Sequence, residues 1–219
     1  TAATTGSVKN MHDTLTPLVG VMPLVMMMLN NVFGGDGVGT VNILMYSLMA
    51  VFIAGLMVGR TPEFLGKKIE GREMKLIAIT ILLHPLIILV PSAIALATQM
   101  GSSATSNPGF HGISQVVYEF TSSAANNGSG FEGLGDNTPF WNISTGLVML
   151  FGRYFSMIAM IAIAGSLLAK KRVPETIGTF KTDNSTFGVI LLATVLIIGA
   201  LTFFPVIALG PVAEWLTIR

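Results

Sequence analysis

Five runs of apolar residues, at about 15–33, 41–58, 76–97, 143–168 and 187–209, dictate what this chain can become. A helix crosses the hydrocarbon of a bilayer with roughly 20 apolar residues, and three of the runs meet that length without interruption. Of the 219 residues 52% are hydrophobic and 11% charged, too few charges to cover a water-facing surface. The expected fold class is therefore all-α and integral to a membrane. The net charge of +1 excludes a nucleic-acid binder, which needs clustered Lys and Arg to neutralise phosphates. Cysteine is absent, which removes disulfides and thiolate metal sites. The opening TAATTGSVKN has neither an initiator Met nor a signal-peptide pattern, so the chain reads as a fragment.

The basic residues orient the spans. Arg60, Lys67, Lys68, Arg72 and Lys75 form one group, and Lys170, Lys171, Arg172 and Lys181 another. Both loops are expected on the cytoplasmic side. No Lys or Arg lies between Lys75 and Arg153, which assigns the segment from about 99 to 141 to the outer side. If Thr1 is also outside, the runs 15–33 and 41–58 must together make one crossing. The break between them, at Gly34, Gly35, Asp36, Gly37 and Gly39, then falls within the membrane. Irregular backbone at that depth is tolerated only where protein buries it or a wet cavity adjoins it.

Between two spans stands GFHGISQVVYEFTSSAANNGSGFEGLGDNTPFWNIS, residues 109–142. Ile113 to Phe120 can form a short helix, and small polar residues follow it to Asn126, Asn127 and Gly128. Span, short helix, polar strand and span is the order of a potassium-channel pore repeat. A dehydrated potassium ion needs several neutral oxygen ligands, and backbone carbonyls, hydroxyls and amides supply them. An ordinary extracellular loop has the same composition, so composition leaves both readings open.

Four stretches resemble the KdpA family: GLMVGRTPEFLGKKIEGREMK (55–75), NPGFHGISQVVYEFTSSAANNGSGFEGL (107–134), NTPFWNI with FGRYFSMIAMIAIAGSL (137–167), and GALTFFPVIALGPVAEWL (199–216). This is the potassium-binding, channel-like subunit of a Kdp-type potassium-transporting P-type ATPase, and the resemblance covers essentially the whole chain. It implies four linked pore repeats in a protein of roughly twice this length or more, with the end of the third and all of the fourth present here. The implied layout is a third-repeat filter strand over 1–10 and a broken helix over 14–58, followed by a cytoplasmic loop over 59–75. A fourth repeat over 76–168 comprises a span 76–97, a pore helix 112–121, a filter 122–130 and a span 142–168. A second cytoplasmic loop (169–186), a last transmembrane helix (187–209) and an external tail (210–219) complete it.

Carried over by motif, TTGSVKNMHD resembles the third filter strand, with Thr4, Thr5, Gly6 and Ser7 near the ion path. SSAANNGSGF resembles the fourth, with Ser123, Ala125, Asn126, Asn127 and Gly128 lining or shaping it. Lys9 replaces an Asn usual in the family, which leaves open whether it stands outside the coordination shell or alters selectivity. Asn30 stands where many members have an acid, so no carboxylate role carries over to it. VFGGDGVGT resembles the family's broken helix, whose loop, with Gly34, Gly35, Asp36, Gly37 and Gly39, obstructs a straight passage and turns ions toward the ATPase partner. The resemblance further implies a KdpB-like catalytic subunit and small accessory Kdp subunits as partners. It places ATP and magnesium on that partner, leaves this chain without a cofactor beyond potassium as transported ligand, and places the protein in a bacterial or archaeal cell membrane.

Arg153 interrupts an apolar run, where an unpaired cation costs at least about 2.5 kcal/mol, so it is expected to face a partner or the ion route. His84, next to Pro85, is expected to be a packing or kink residue, having no second ligand at helical spacing. His12 and Asp13 are expected to cap the next helix. The methionines 22, 26, 27 and 28 are expected to face lipid or core. The glycines 35, 37 and 39 lack the strand and the Lys of a nucleotide loop, and no HExxH, GxSxG or DKTGT-like sequence occurs, so no catalysis is expected of this chain. Two other functions stand beside the ion-selecting subunit. One is a stand-alone pore-repeat potassium transporter driven by the ion gradient, and the other an intramembrane hydrolase using His84 or Ser129, which would need nucleophile and base in one wet cavity.

Overall fold

A computed structural model of the chain describes residues 2, 4–30, 38–174 and 179–218. After a single 3-10 turn at His12–Thr14 come α1 (Pro17–Met28) and α2 (Val38–Met57), then a two-stranded hairpin of β1 (Glu63–Phe64) and β2 (Lys67–Lys68). These are followed by α3 (Gly71–Ala97), α4 (Gln99–Ser102), α5 (Phe110–Ala125), α6 (Pro139–Ala169) and α7 (Ser185–Ile207). A π turn at Ala208–Val212 joins α7 to α8 (Ala213–Ile218).

Among the described residues four helical stretches are long and apolar enough to cross a membrane: Gly39–Met57, Gly71–Ala97, Pro139–Ala169 and Ser185–Ile218. Their outer faces carry exposed Leu82, Leu86, Ile158, Ile161, Leu201 and Phe204. Water would not tolerate such faces, whereas lipid covers them. The 12 residues of α1 reach about 18 Å, too short to cross alone, while α2 reaches about 30 Å. Gly39, expected in the break, lies in the first turn of α2; Gly34, Gly35, Asp36 and Gly37 lie outside the described residues.

The helix α5 lies between α3, α6, α1 and the π turn, and it organises the larger core. Val116, Tyr118 and Phe120 from α5 pack with Leu24, Ile88, Trp141, Val148 and Phe203. Phe120 stacks on Trp141 at 5.0 Å between ring centroids. Gly152 on α6 admits the end of α5, because a Cβ there would lie 2.3 Å from the Ala124 carbonyl oxygen. α5 begins two residues before, and ends four residues beyond, the expected pore helix at 112–121, so Ser122 to Ala125, expected as filter, are its last turn. Residues 210–218, expected as a tail, are helical and fold against α5.

The opposite end is closed by a second core of Leu48, Val51, Ile69, Ile77 and Ile163, with a polar knot beside it. Leu65 and Gly66 both have positive φ, which matches the twist of a two-residue hairpin turn and pairs Glu63 with Lys68 and Phe64 with Lys67. A capping box between Glu70 and Glu73 starts α3 at Gly71, five residues before the apolar run expected at 76. The Glu73 carboxylate is wholly buried and accepts from Lys170 Nζ at 2.7 Å and from Ser166 Oγ. Lys170 Nζ also donates to the Lys68 carbonyl at 3.0 Å, fastening the end of α6 to the hairpin. Removing one partner of a buried ion pair strands the other. Lys170→Met in the full-length protein is therefore expected to cost about 3–5 kcal/mol, and adding Glu73→Gln to recover most of it, read as the midpoint of loss of monodisperse protein on heating.

Candidate functional site: two facing polar strands

The last turn of α5 ends at Asn126, whose left-handed φ of 52° lets its N–H close onto Ser123 O at 3.1 Å. The Asn126 side chain donates to Ser123 O at 3.2 Å and to Met149 O at 3.1 Å, tying the reversal to α6. Beyond it the side chains turn back onto α5. Buried Asn127 Oδ1 accepts from Ser122 Oγ at 2.7 Å, from Ser129 N at 3.1 Å and from Ser129 Oγ at 3.0 Å. Ser122 Oγ accepts in turn from Gly130 N at 2.9 Å, and Glu119 Oε2 accepts from Phe131 N at 2.7 Å.

With the side chains held from behind, the backbone is what the strand offers in front. Positive φ recurs at every second residue, Asn126, Gly128 and Gly130, and again at Thr4 and Gly6 in the first strand. Alternating hand turns successive carbonyls toward one side, where a flat β-strand would point them to opposite sides. The two strands meet at their glycines. A Cβ on Gly6 would lie 2.6 Å from Asn127 O and 3.2 Å from Gly128 O, so those carbonyl oxygens border Gly6 and no side chain fits between.

The segments after the two strands are stitched together. His12 lies buried between the rings of Tyr118 and Phe131, at 4.8 and 5.4 Å, and its Nδ1 accepts from Glu132 N at 3.1 Å. Asp13 N donates to Glu132 O at 3.1 Å. The Asp13 carboxylate accepts from Asn107 Nδ2 at 2.9 Å and Gln115 Nε2 at 2.6 Å. Burial works to raise that carboxyl, but hydrogen bonds from Asn107, Ser106 and His111 outweigh it and hold the group below its ordinary value. Burial lowers His12, with the carboxylate of Glu132 opposing only in part. Neither residue caps α1, whose N-cap is Thr16 with Pro17 following.

On the other side of the strands α1, α2, α3, α5 and α7 enclose a chamber of about 100 Å³. Asn30, Asn42, Thr80, His84, Thr121 and Ala125 are among its walls. Asn42 Oδ1 is buried without a hydrogen-bond partner among the described residues. Thr4 Oγ1 donates to Asn30 Oδ1 at 3.3 Å, which ties the first strand to the end of α1.

The structure thus brings Gly6 against Asn127 and Gly128, while Thr5 and Ser7 are exposed and Ser123 and Ala125 belong to the helix. Lys9 is exposed. Arg153 is half-buried on α6, one residue past the contact with Ala124, and has no ion pair among the described residues. His84 Nδ1 stands 3.3 Å from Thr80 O, whereas Ser129 Oγ is engaged by Asn127 and stands 3.2 Å from Tyr118 Oη, so the two do not form a nucleophile and base pair. No cluster of three or more His, Cys, Asp or Glu able to hold a metal occurs among the described residues. The stitch through His12, Asp13 and Glu132 is absent from the sequence-based assignment. Its one legible signal is a His-Asp pair directly after the first polar strand.

The family model for the potassium-transporting ATPase A subunit, KdpA, matches residues 1–216. The chain belongs to this family. It is 78% identical over all 219 residues to a protein of Geobacillus kaustophilus (strain HTA426) named potassium-transporting ATPase potassium-binding subunit, and it spans 39% of that protein's length. As a KdpA-family chain with four helices fit to cross a bilayer, it is a membrane protein.

The His12 contact has a pH signature. A buried His whose value is lowered favours folding fully above its ordinary 6.5, and that contribution is lost as pH falls below it, because the unfolded chain takes up the proton more readily. Acidification of the full-length protein through pH 6 to 5 is expected to lower its thermal midpoint, and His12→Asn, whose side-chain oxygen can still accept from Glu132 N, to remove that step. The second expectation concerns Asn127. Asn127→Ala leaves two hydroxyls and one amide without their acceptor, an expected loss of about 1–3 kcal/mol in the same measurement.

Proposed function

We propose that this chain supplies two of the four walls of a potassium-selective filter in the ion-binding subunit of a Kdp-type pump. The observation that carries the reading is the meeting of Gly6 with the carbonyls of Asn127 and Gly128, on strands whose φ alternates in sign. A ring of such carbonyls replaces the hydration shell of potassium with neutral dipoles, so the ion is selected without being trapped by a full charge. The name of the Geobacillus relative, a potassium-binding subunit, supports potassium as the cargo.

In this reading potassium enters from the outer side, loses water between the strands, and reaches the chamber bordered by Asn30, Asn42 and Thr121. From there it passes to a P-type ATPase subunit, which holds ATP and magnesium and provides the energy, with small accessory subunits completing the complex. The loops containing Lys67 to Lys75 and Lys170 to Lys181 face the cytoplasm. Arg153, half-buried on α6, stands by the ion route. The chain itself performs no catalysis.

The test uses the full-length subunit in cells lacking other potassium uptake, grown at micromolar potassium with and without the ATPase subunit. Growth only with the ATPase subunit, abolished by Gly128→Asp, is the expected result. A side chain at φ 74° is strained, and its carboxylate would stand among the carbonyls. Growth without the ATPase subunit would overturn the proposal in favour of a gradient-driven transporter.

A further inference from the structure

His111, on the first turn of α5, is held between two carboxylates. Its Nε2 is 3.0 Å from Asp13 Oδ1 and its Nδ1 is 3.0 Å from Glu214 Oε1, with the side chains of His111 and Asp13 each 13% exposed and that of Glu214 16% exposed. Asp13 belongs to the turn that follows the first filter strand, and Glu214 to α8. The three residues therefore join the outer end of the third-repeat strand, the fourth pore helix and the C-terminal helix. Carboxylate oxygens only accept, and a neutral imidazole has one N–H to donate. Both 3.0 Å contacts are attractive together only when the ring carries two protons.

Among the described residues the surroundings supply no side chain that is a permanent cation. Among the described residues the ionisable groups on the elements packed around His111 are His12 and Asp13 on the turn, Glu214 on α8, Glu132 and Asp136 after the second strand, and Glu119 and Tyr118 on α5 itself. Neither α1 nor the π turn holds an ionisable residue. His12 Nδ1 already accepts from Glu132 N, and Glu119 is bonded to Phe131 N. Among the described residues at this end of the protein, His111 bridges two anionic groups. Asp13 is kept ionised by its other donors, so loss of one proton from His111 turns a ring lone pair toward a carboxylate and opens one of the two links.

We propose that His111, as an imidazolium, is a positioning residue for the potassium filter, clamping the third-repeat strand and the C-terminal helix to the fourth pore helix and releasing one of them as the outer side becomes alkaline. It acts through Asp13, whose backbone N–H reaches Glu132 O and so sets the spacing of the two strands at their outer ends. The inference rests on the filter reading above, and its test has one readout that does not require potassium.

The experiment takes the full-length complex through about pH 6 to 8.5. It compares wild type with Glu214→Gln, whose amide donates to a neutral ring and so satisfies both nitrogens without the second proton, and with His111→Gln. The first readout is the KM for potassium in ATP hydrolysis, at constant ionic strength. For wild type it is expected to rise roughly 10-fold across the range, the scale of one lost charge-assisted hydrogen bond, with kcat changing far less. Glu214→Gln is expected to flatten that rise. The second readout is amide exchange of residues 208–218 without potassium, corrected for the intrinsic pH dependence. Protection should fall with pH in wild type and stay constant in Glu214→Gln. A flat wild-type KM, or a Glu214→Gln profile matching wild type, overturns the proposal. If potassium proves not to be the ligand, exchange still decides the clamp: protection that is independent of pH in wild type refutes it, whatever becomes of the filter reading.

Discussion

A buried strand of polar backbone keeps its shape only if something other than water satisfies it, and here that something is the last half of α5. Asn127 is the centre of the arrangement. Its side-chain oxygen gathers two serine hydroxyls and a backbone amide, and Ser122 returns a bond to Gly130 N. The bonds behind the strand are what free the carbonyls in front of it. A strand built this way is rigid for a chemical reason: moving the Gly128 carbonyl requires moving the Ser129 amide, which is already bonded to buried Asn127 Oδ1.

The same economy explains why α5 is buried on nearly all sides although its sequence is only moderately apolar. Gln115, Glu119, Thr121, Ser122 and Ser123 are all buried, and the bonds of Gln115, Glu119 and Ser122 serve the strands or the turn at Asp13, while Thr121 bonds back to Val117 O within the helix. The apolar work is left to Val116, Tyr118 and Phe120, with Trp141 and Phe203 around them. At the far end the solution differs. There Lys170, paired with buried Glu73 and with exposed Glu70, joins the start of α3 to the end of α6. The strand itself is held mainly by neutral side-chain bonds, whereas the far end gathers two carboxylates on one lysine.

Much of the fold was legible in advance. The apolar runs located the long helices, and a short helix followed by small polar residues was legible before Asn126, Asn127 and Gly128, although Ser122 to Ala125 are that helix's last turn. Boundaries were less legible. α3 begins at Gly71 because Glu73 closes a capping box there and finds the partly buried Lys170 almost a hundred residues away, and α5 runs on to Ala125 with Ser122 Oγ bonded to the strand. His12 and Asp13 followed a pattern that suggests a helix cap. They were diverted by Glu132, Asn107 and Gln115, partners brought near only by the packing of α5.

The sequence alone determined the solvent of this protein, since its length of apolar run and scarcity of charge admit only a bilayer, and it determined where glycines let the backbone take positive φ. Only the tertiary structure decided what those residues do: that Asn127 turns its side chain away from the strand's open face, that Gly6 and Gly128 meet, and that one histidine bridges three elements. The reason is physical. Hydropathy and backbone freedom belong to each residue by itself, but a hydrogen bond belongs to a pair, and the pairs here are a hundred residues apart.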